Sequence, residues 1–138
     1  MLLTDEAERR RAHALALLDV DGLAEINRAY GWPAGDAVVG RLSVALLDAV
    51  NADEQAAHWA GDQFVVVMPG ATRHRALRRT RQIVAYVQEN ASTNGRPVRV
   101  TAGTAVHPAD GSTNSALIEA ATLALRRAKR RKAPSTDQ

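Results

Sequence analysis

The stretch Ala56-Ala57-His58-Trp59-Ala60-Gly61-Asp62-Gln63-Phe64-Val65-Val66-Val67-Met68 decides how this chain is read. Two short apolar runs flank Gly61-Asp62, so 56–59 and 64–68 are expected as paired strands with that dipeptide at the tip of their hairpin. A second acidic group, Asp19-Val20-Asp21, lies upstream at the end of another apolar run. Carboxylates brought together from a hairpin tip and a strand end make an oxygen site for a hard cation. Magnesium shares its coordination shell with water and phosphate, so two well-placed carboxylates are enough.

The 138 residues are the length of one domain with a core of its own. Cysteine is absent, which excludes thiolate metal sites, thiol redox chemistry and disulfides. No apolar stretch has membrane-spanning length, and the acidic start Met1-Leu2-Leu3-Thr4-Asp5-Glu6 does not read as a signal peptide, so no membrane and a cytoplasmic location are expected. The net charge of +3 is modest, and the two Trp and two Tyr besides Phe64 are not interleaved with the basic residues. Nucleic acid is therefore not an expected partner.

Outward from the hairpin, Thr4 is placed to cap a helical lead-in over residues 1–11, acidic first and arginine-rich (Arg9, Arg10, Arg11) at its end. Residues 13–18 suit a strand buried on both faces. Leu23 to Tyr30 forms a short helix with Leu23, Ile26, Asn27 and Tyr30 on one face, broken by Gly31-Trp32-Pro33-Ala34-Gly35. Asp36 opens the next helix, whose apolar positions are Val38, Val39, Leu42, Ala45, Leu46 and Ala49. Thr72 caps a helix reaching Glu89 with the stripe Leu77, Thr80, Val84 and Val87, leaving Arg75, Arg78, Arg79 and Arg81 as solvated face.

Asn94-Gly95-Arg96-Pro97 reads as a turn, and Val98, Val100, Ala102, Thr104 and Val106 alternate as in a half-buried strand. The last helix starts near Asn114-Ser115, carries Leu117, Ile118, Ala121 and Leu125 inward, and ends in Arg126, Arg127, Lys129, Arg130, Arg131 and Lys132 before Pro134. Cations there complement the helix dipole. The resulting order gives an α/β domain with a mixed central sheet and helices packed around it.

The segment Leu18-Asp19-Val20-Asp21-Gly22-Leu23-Ala24-Glu25-Ile26-Asn27, followed by Tyr30-Gly31 and Gly35-Asp36, resembles the first half of the GGDEF domain of diguanylate cyclases. Ala60-Gly61-Asp62-Gln63-Phe64 stands at the signature, and Thr101 to Ala105 and Ala121 to Lys129 resemble the later strand and final helix. The likeness covers about residues 12–133 and leaves 134–138 as a tail. It implies a palm-like nucleotide-cyclase fold and the condensation of two GTP molecules into cyclic di-GMP.

Carried over by position, the resemblance makes Asp19, the Val20 carbonyl and Asp62 ligands of Mg²⁺ or Mn²⁺. Asn27 and Asp36 become the pair that reads guanine, an amide oxygen and a carboxylate being suited to its N1–H and amino group. Gly61 lets the backbone approach phosphate, and Lys129 contacts phosphate. Taken singly, Asp36 reads more readily as the N-cap of its helix and Asn27 as a turn-facing helix residue; it is their spacing together with the hairpin that favours a site.

The departures from the pattern are specific. Gln63 stands where a glutamate serves metal binding and activation of the attacking hydroxyl, making the catalytic position degenerate. A neutral amide cannot take that proton, and loss of such a group costs ~10²–10⁴-fold in rate. Ala24 and Ala133 stand where a lysine and an arginine contact phosphate, and Thr122 where an aspartate is common. Asn51 and Glu54 occupy the positions of the inhibitory-site arginine and aspartate, so that site is expected to be absent.

Retention of the guanine and metal residues beside these losses favours a degenerate domain. On this reading it binds a guanine nucleotide, signals through a protein partner, and is open to forming a homodimer. The alternatives are a weak but active diguanylate cyclase, and a nucleotide-free scaffold that docks an acidic partner on Arg75, Arg78 and Arg79.

Overall fold

The computed structural model describes residues 13–92 and 97–132. The lead-in helix at 1–11, Ala133, the tail at 134–138 and all but Pro97 of the 94–97 turn lie outside them.

The elements follow in the order β1 (His13–Val20), α1 (Leu23–Tyr30), α2 (Trp32–Ala49), β2 (Gln55–Ala60), β3 (Gln63–Pro69), α3 (Arg73–Ala91), β4 (Val100–His107) and α4 (Asn114–Lys132). Among the described residues, four strands form one sheet in the order β2-β3-β1-β4. β1 is central, and its run from Ala14 to Leu18 is buried, as an apolar strand without alternation must be. Its even-numbered residues face a core with Val38, Leu42 and Leu46 of α2 and Ile83 and Val87 of α3. Leu15 and Leu17 face the other way, onto Leu117, Ala121 and Leu125 of α4.

The α/β class stands, but the sheet is antiparallel rather than mixed: β1 runs antiparallel to both β3 and β4, and β2 antiparallel to β3. The α3 crossover does make β3 and β4 parallel to one another, as helical crossovers do. β1 is inserted between them, however, so no parallel pair is in contact.

Several local expectations are corrected. The break after α1 is the single residue Gly31 (φ 91°), and α2 starts at Trp32 with proline in its first turn, where a missing N–H costs nothing. Asp36 is therefore an exposed residue inside α2 and not its N-cap. On α3 the buried stripe is Ala76, Thr80, Ile83, Val87 and Ala91, one step round from the expected one; Leu77 is exposed and the small alanines face inward. Thr72 occupies the N-cap position but its hydroxyl makes no capping bond.

β4 is buried on both faces, because α3 covers one side and α4 the other. On the α4 side Gly103 has no room for a side chain: a Cβ would meet Ala121 O and Leu125 N at 2.3 Å. Finally, Arg79 is not solvated. It donates to both oxygens of Glu54 (2.8 and 2.9 Å) and to the Ala49 carbonyl, joining α3 to the segment before β2.

Candidate nucleotide site

Strand alternation that places Leu15 and Leu17 on α4 also delivers Asp19 to the same face at the end of β1. In register, Asp19 lies opposite Gln63 on β3 and Thr101 on β4, so these three form a row across the sheet. Asp21 follows in the turn, where it accepts a 2.6 Å hydrogen bond from Thr101 Oγ1. The hairpin tip Gly61-Asp62 directly precedes Gln63 in this row, and Asp62 is near enough to act on Asp19. Gly61 adopts φ 56°, left-handed backbone that glycine enters without penalty, while the space beside its Cα is open.

His58, which the sequence reading passed over, stacks on Phe64 with ring centroids 4.9 Å apart and puts Nε2 against the Gly61 carbonyl. A register shift between His58 and Ala60 leaves Trp59 unpaired and half exposed. The signal for His58 was its place opposite Phe64 in the hairpin, which only the register reveals.

Lys129 Nζ lies 3.2 Å from Asp19 Oδ2 and 3.5 Å from Asp21 Oδ1. Lys132 Nζ lies 2.6 Å from Asp21 Oδ2 and also donates to Thr101 Oγ1 at 2.9 Å and to the Val100 carbonyl at 3.2 Å. The cations ending α4 are thus more than dipole complements, since two of them close on the acidic strand end.

Burial pushes the Asp19 carboxyl above its ordinary range; Lys129 pulls it back, and the neighbouring Asp62 carboxylate raises it again. Asp21 is also penalised by burial, but its hydrogen bonds from Lys132 and Thr101 leave it below the ordinary range.

These opposite shifts give opposite pH dependences. The folded state holds the Asp19 proton more tightly, so that contribution to stability is present at low pH and is lost as pH rises through the folded value. For Asp21 the contribution is full above the unfolded value and is lost as pH falls through the depressed folded one. At pH 7 without divalent cations, Asp19→Asn is expected to stabilise the domain by up to about 1 kcal/mol, roughly 3–5 °C. Asp21→Asn should destabilise it by a similar amount. Thermal melts should show both differences shrinking as pH falls through the carboxylate range, that of Asp21 last because its folded value is depressed; a destabilised Asp19→Asn at pH 7 would contradict the cost assigned to that carboxylate.

Two buried side-chain oxygens have no partner among the described residues, Asp19 Oδ1 and Asn27 Oδ1. Burying an acceptor without a partner costs about 1–3 kcal/mol, so both are sites where a ligand would restore what the fold gives up. Asn27, on α1, is pressed over Gly35 of α2: a Cβ at Gly35 would fall 1.8 Å from Asn27 Oδ1. Gly35 is the residue the sequence reading undervalued here. Asp36 follows it, exposed, so the two proposed guanine readers reach the same α1–α2 junction from different helices.

The donor set suits a divalent cation shared with phosphate. Asp19 and Asp62 are close enough to raise Asp19's proton affinity, a repulsion that a cation relieves, and Asp19 Oδ1 is unpartnered. Among the described residues no cluster of three or more His, Cys, Asp or Glu has metal-holding geometry. Asp19, Asp62 and the Val20 carbonyl would hold the ion, with phosphate or water completing its shell. Gln63, half-buried beside Asp19 in register, contributes no charge.

At the positions to which the resemblance assigns the inhibitory site, Asn51 is exposed and its backbone N–H donates to Glu54 Oε1 at 2.8 Å. Glu54 is bound by Arg79 and held below the ordinary carboxylate range, burial opposing and the Arg79 hydrogen bonds prevailing. Its carboxylate is occupied within the protein.

An antiparallel β2-β3-β1-β4 sheet with helices on both faces, and acidic residues at the end of β1 beside the β2–β3 hairpin, is the palm-like cyclase architecture. The family model described as "Diguanylate cyclase, GGDEF domain" matches residues 2–134, and the chain belongs to that family. Diguanylate cyclase TpbB of Pseudomonas aeruginosa is 32% identical over 132 residues, covering 93% of this chain and 30% of its own length.

The structure of the GGDEF domain of TpbB (also YfiN), from the same species, superposes with TM-score 0.79 at 30% identity, covering 94% of this chain and 77% of that one. Diguanylate cyclase SiaD of P. aeruginosa, solved in complex with its activator SiaC, superposes with TM-score 0.80 at 26% identity, covering 93% of this chain and 51% of that one. The chain spans less than a third of the length of TpbB. None of its described helices is long and apolar enough to cross a membrane.

Proposed function

We propose that this GGDEF domain binds a guanine nucleotide, GTP with Mg²⁺ or Mn²⁺, with little or no cyclase activity, and acts in cyclic di-GMP-type signalling through a protein partner. One observation carries the reading. The two unpartnered buried oxygens of Asp19 and Asn27 lie where the cation and the guanine edge are expected, while the residue in register with Asp19 is the neutral Gln63.

Asn27 and Asp36 supply acceptors for the donors on guanine, and Lys129 supplies a cation for phosphate. The bound metal would bring Lewis-acid stabilisation of phosphate charge. No residue in register with Asp19 can take the proton of an attacking hydroxyl: Gln63 lacks the basicity and Thr101 is engaged with Asp21. The protein partner is supported by SiaD, whose structure was solved with its activator.

The test is calorimetry with GTP and Mg²⁺, run beside chromatographic assay for cyclic di-GMP. The expected result is saturable GTP binding, lost in Asp19→Ala, and no product above an Asp62→Ala control. Gln63→Glu should then tighten metal-dependent binding about tenfold, the effect of one added charged ligand. Product formation by the wild-type chain would make it a weak cyclase, and absence of GTP binding would leave a nucleotide-free scaffold.

A further inference from the structure

The end of α4 holds two lysines three residues apart, hence on one face of the helix, and both turn toward the acidic end of β1. The resemblance assigns a phosphate role to Lys129 alone. It leaves the nucleotide short of cations, because Ala24 and Ala133 stand at the other phosphate-contacting positions.

We infer that Lys132 is a second phosphate-binding residue of this cleft, and that Lys129 and Lys132 exchange aspartate for phosphate when a metal–nucleotide complex enters. The inference rests on the proposed reading of the cleft as a metal–nucleotide site.

Charge supports the exchange. In the protein by itself, the carboxylates of Asp19, Asp21 and Asp62 face two ammonium groups, leaving one net negative charge. A divalent cation on Asp19 and Asp62 reverses that sign, and the lysines then repel the metal and attract polyphosphate. The lysine side chains are 35% and 44% exposed, so neither is locked into the core and each can re-aim without the backbone moving. Partly solvated ion pairs are individually weak, about 0–1 kcal/mol, which makes leaving Asp21 inexpensive. A lysine, with three donors on a flexible stem, suits such a switch better than the rigid fork of arginine. Thr101 continues to hold Asp21 when Lys132 departs.

The competing role is structural, Lys132 fastening the last turn of α4 to Asp21 and Val100. Phosphate number separates the two. Calorimetry with Mg²⁺ and GTP, GDP or GMP should show Lys132→Gln weakening GTP about tenfold, as expected for one charge-assisted hydrogen bond, and GMP hardly at all. Lys132→Arg should restore most of the GTP affinity. An equal loss for all three nucleotides, or a lowered melting temperature with GTP affinity unchanged, would overturn the assignment.

Should the wild-type chain bind no guanine nucleotide, the reading of the cleft fails, and Lys132 is then judged with magnesium tripolyphosphate. Weaker binding by Lys132→Gln than by wild type upholds its phosphate role. Equal binding, or none to either, refutes it.

Discussion

A valine at position 103 is expected to leave little folded domain at 37 °C. Gly103 lies in the middle of β4 beneath α4, and even a Cβ would meet Ala121 O and Leu125 N at 2.3 Å and Leu125 Cα at 2.7 Å. These are backbone atoms, which cannot rotate aside, so the helix itself must lift. Lifting it exposes the interface of Leu117, Ala121 and Leu125 with Leu15 and Leu17. At about 1.5–3 kcal/mol per buried leucine, the loss approaches the 5–15 kcal/mol that holds an ordinary domain together. Urea denaturation should show Gly103→Ala shifted by about 2–3 kcal/mol and Gly103→Val by at least about 4 kcal/mol. A wild-type midpoint for Gly103→Ala would mean that α4 does not approach the sheet this closely.

Gly35→Ala should do the reverse, sparing the fold and damaging the cleft. Its Cβ would fall 1.8 Å from Asn27 Oδ1 and 2.8 Å from Cγ, but these atoms end a flexible side chain that can swing away. Alanine is also the better helix former inside α2, worth up to about 1 kcal/mol over glycine. Stability should therefore stay level or rise. GTP affinity should fall about 10²-fold, the value of losing a directed hydrogen bond from guanine to the displaced amide oxygen and leaving its donor unpaired. Circular dichroism melts paired with calorimetry read both halves. Unchanged GTP affinity in a folded Gly35→Ala protein would remove Asn27 from the nucleotide contacts.

The two glycines differ in how far the sequence could speak for them. Gly35 fell within a stretch expected to break a helix; in the structure it is helical, and its missing side chain serves Asn27 across the α1–α2 junction. Gly103 sat inside an alternating strand expected to have one solvated face. Nothing local reveals that a helix lies against it, because α4 arrives from residues 114–132.

Charged residues were misread for the same reason. Arg79 was expected in solvent with Arg75 and Arg78, yet Glu54 lies within reach once α3 packs beside the segment before β2. Lys132 stood in the sequence only as one of the cations complementing the helix dipole, and the fold adds to that role by bringing Asp21 and Thr101 within its reach. A helical period tells which residues share a face, but the partner of that face is a long-range fact.

Local rules were sufficient for the hairpin, whose Gly61-Asp62 tip and flanking strands follow from turn chemistry and apolar runs, and for the buried β1 strand. They were also sufficient for α1, which spans the residues its periodicity marks. By itself, then, the sequence determined the elements, the acidic strand end and the neutral Gln63 in the signature, because each depends on neighbours a few residues apart. Only the tertiary structure decided that the sheet is antiparallel, that Asp19, Gln63 and Thr101 form one row, and that two lysines from the last helix close on it. Those contacts join residues 31 to 111 positions apart, and their geometry is set by how helices and sheet share one core.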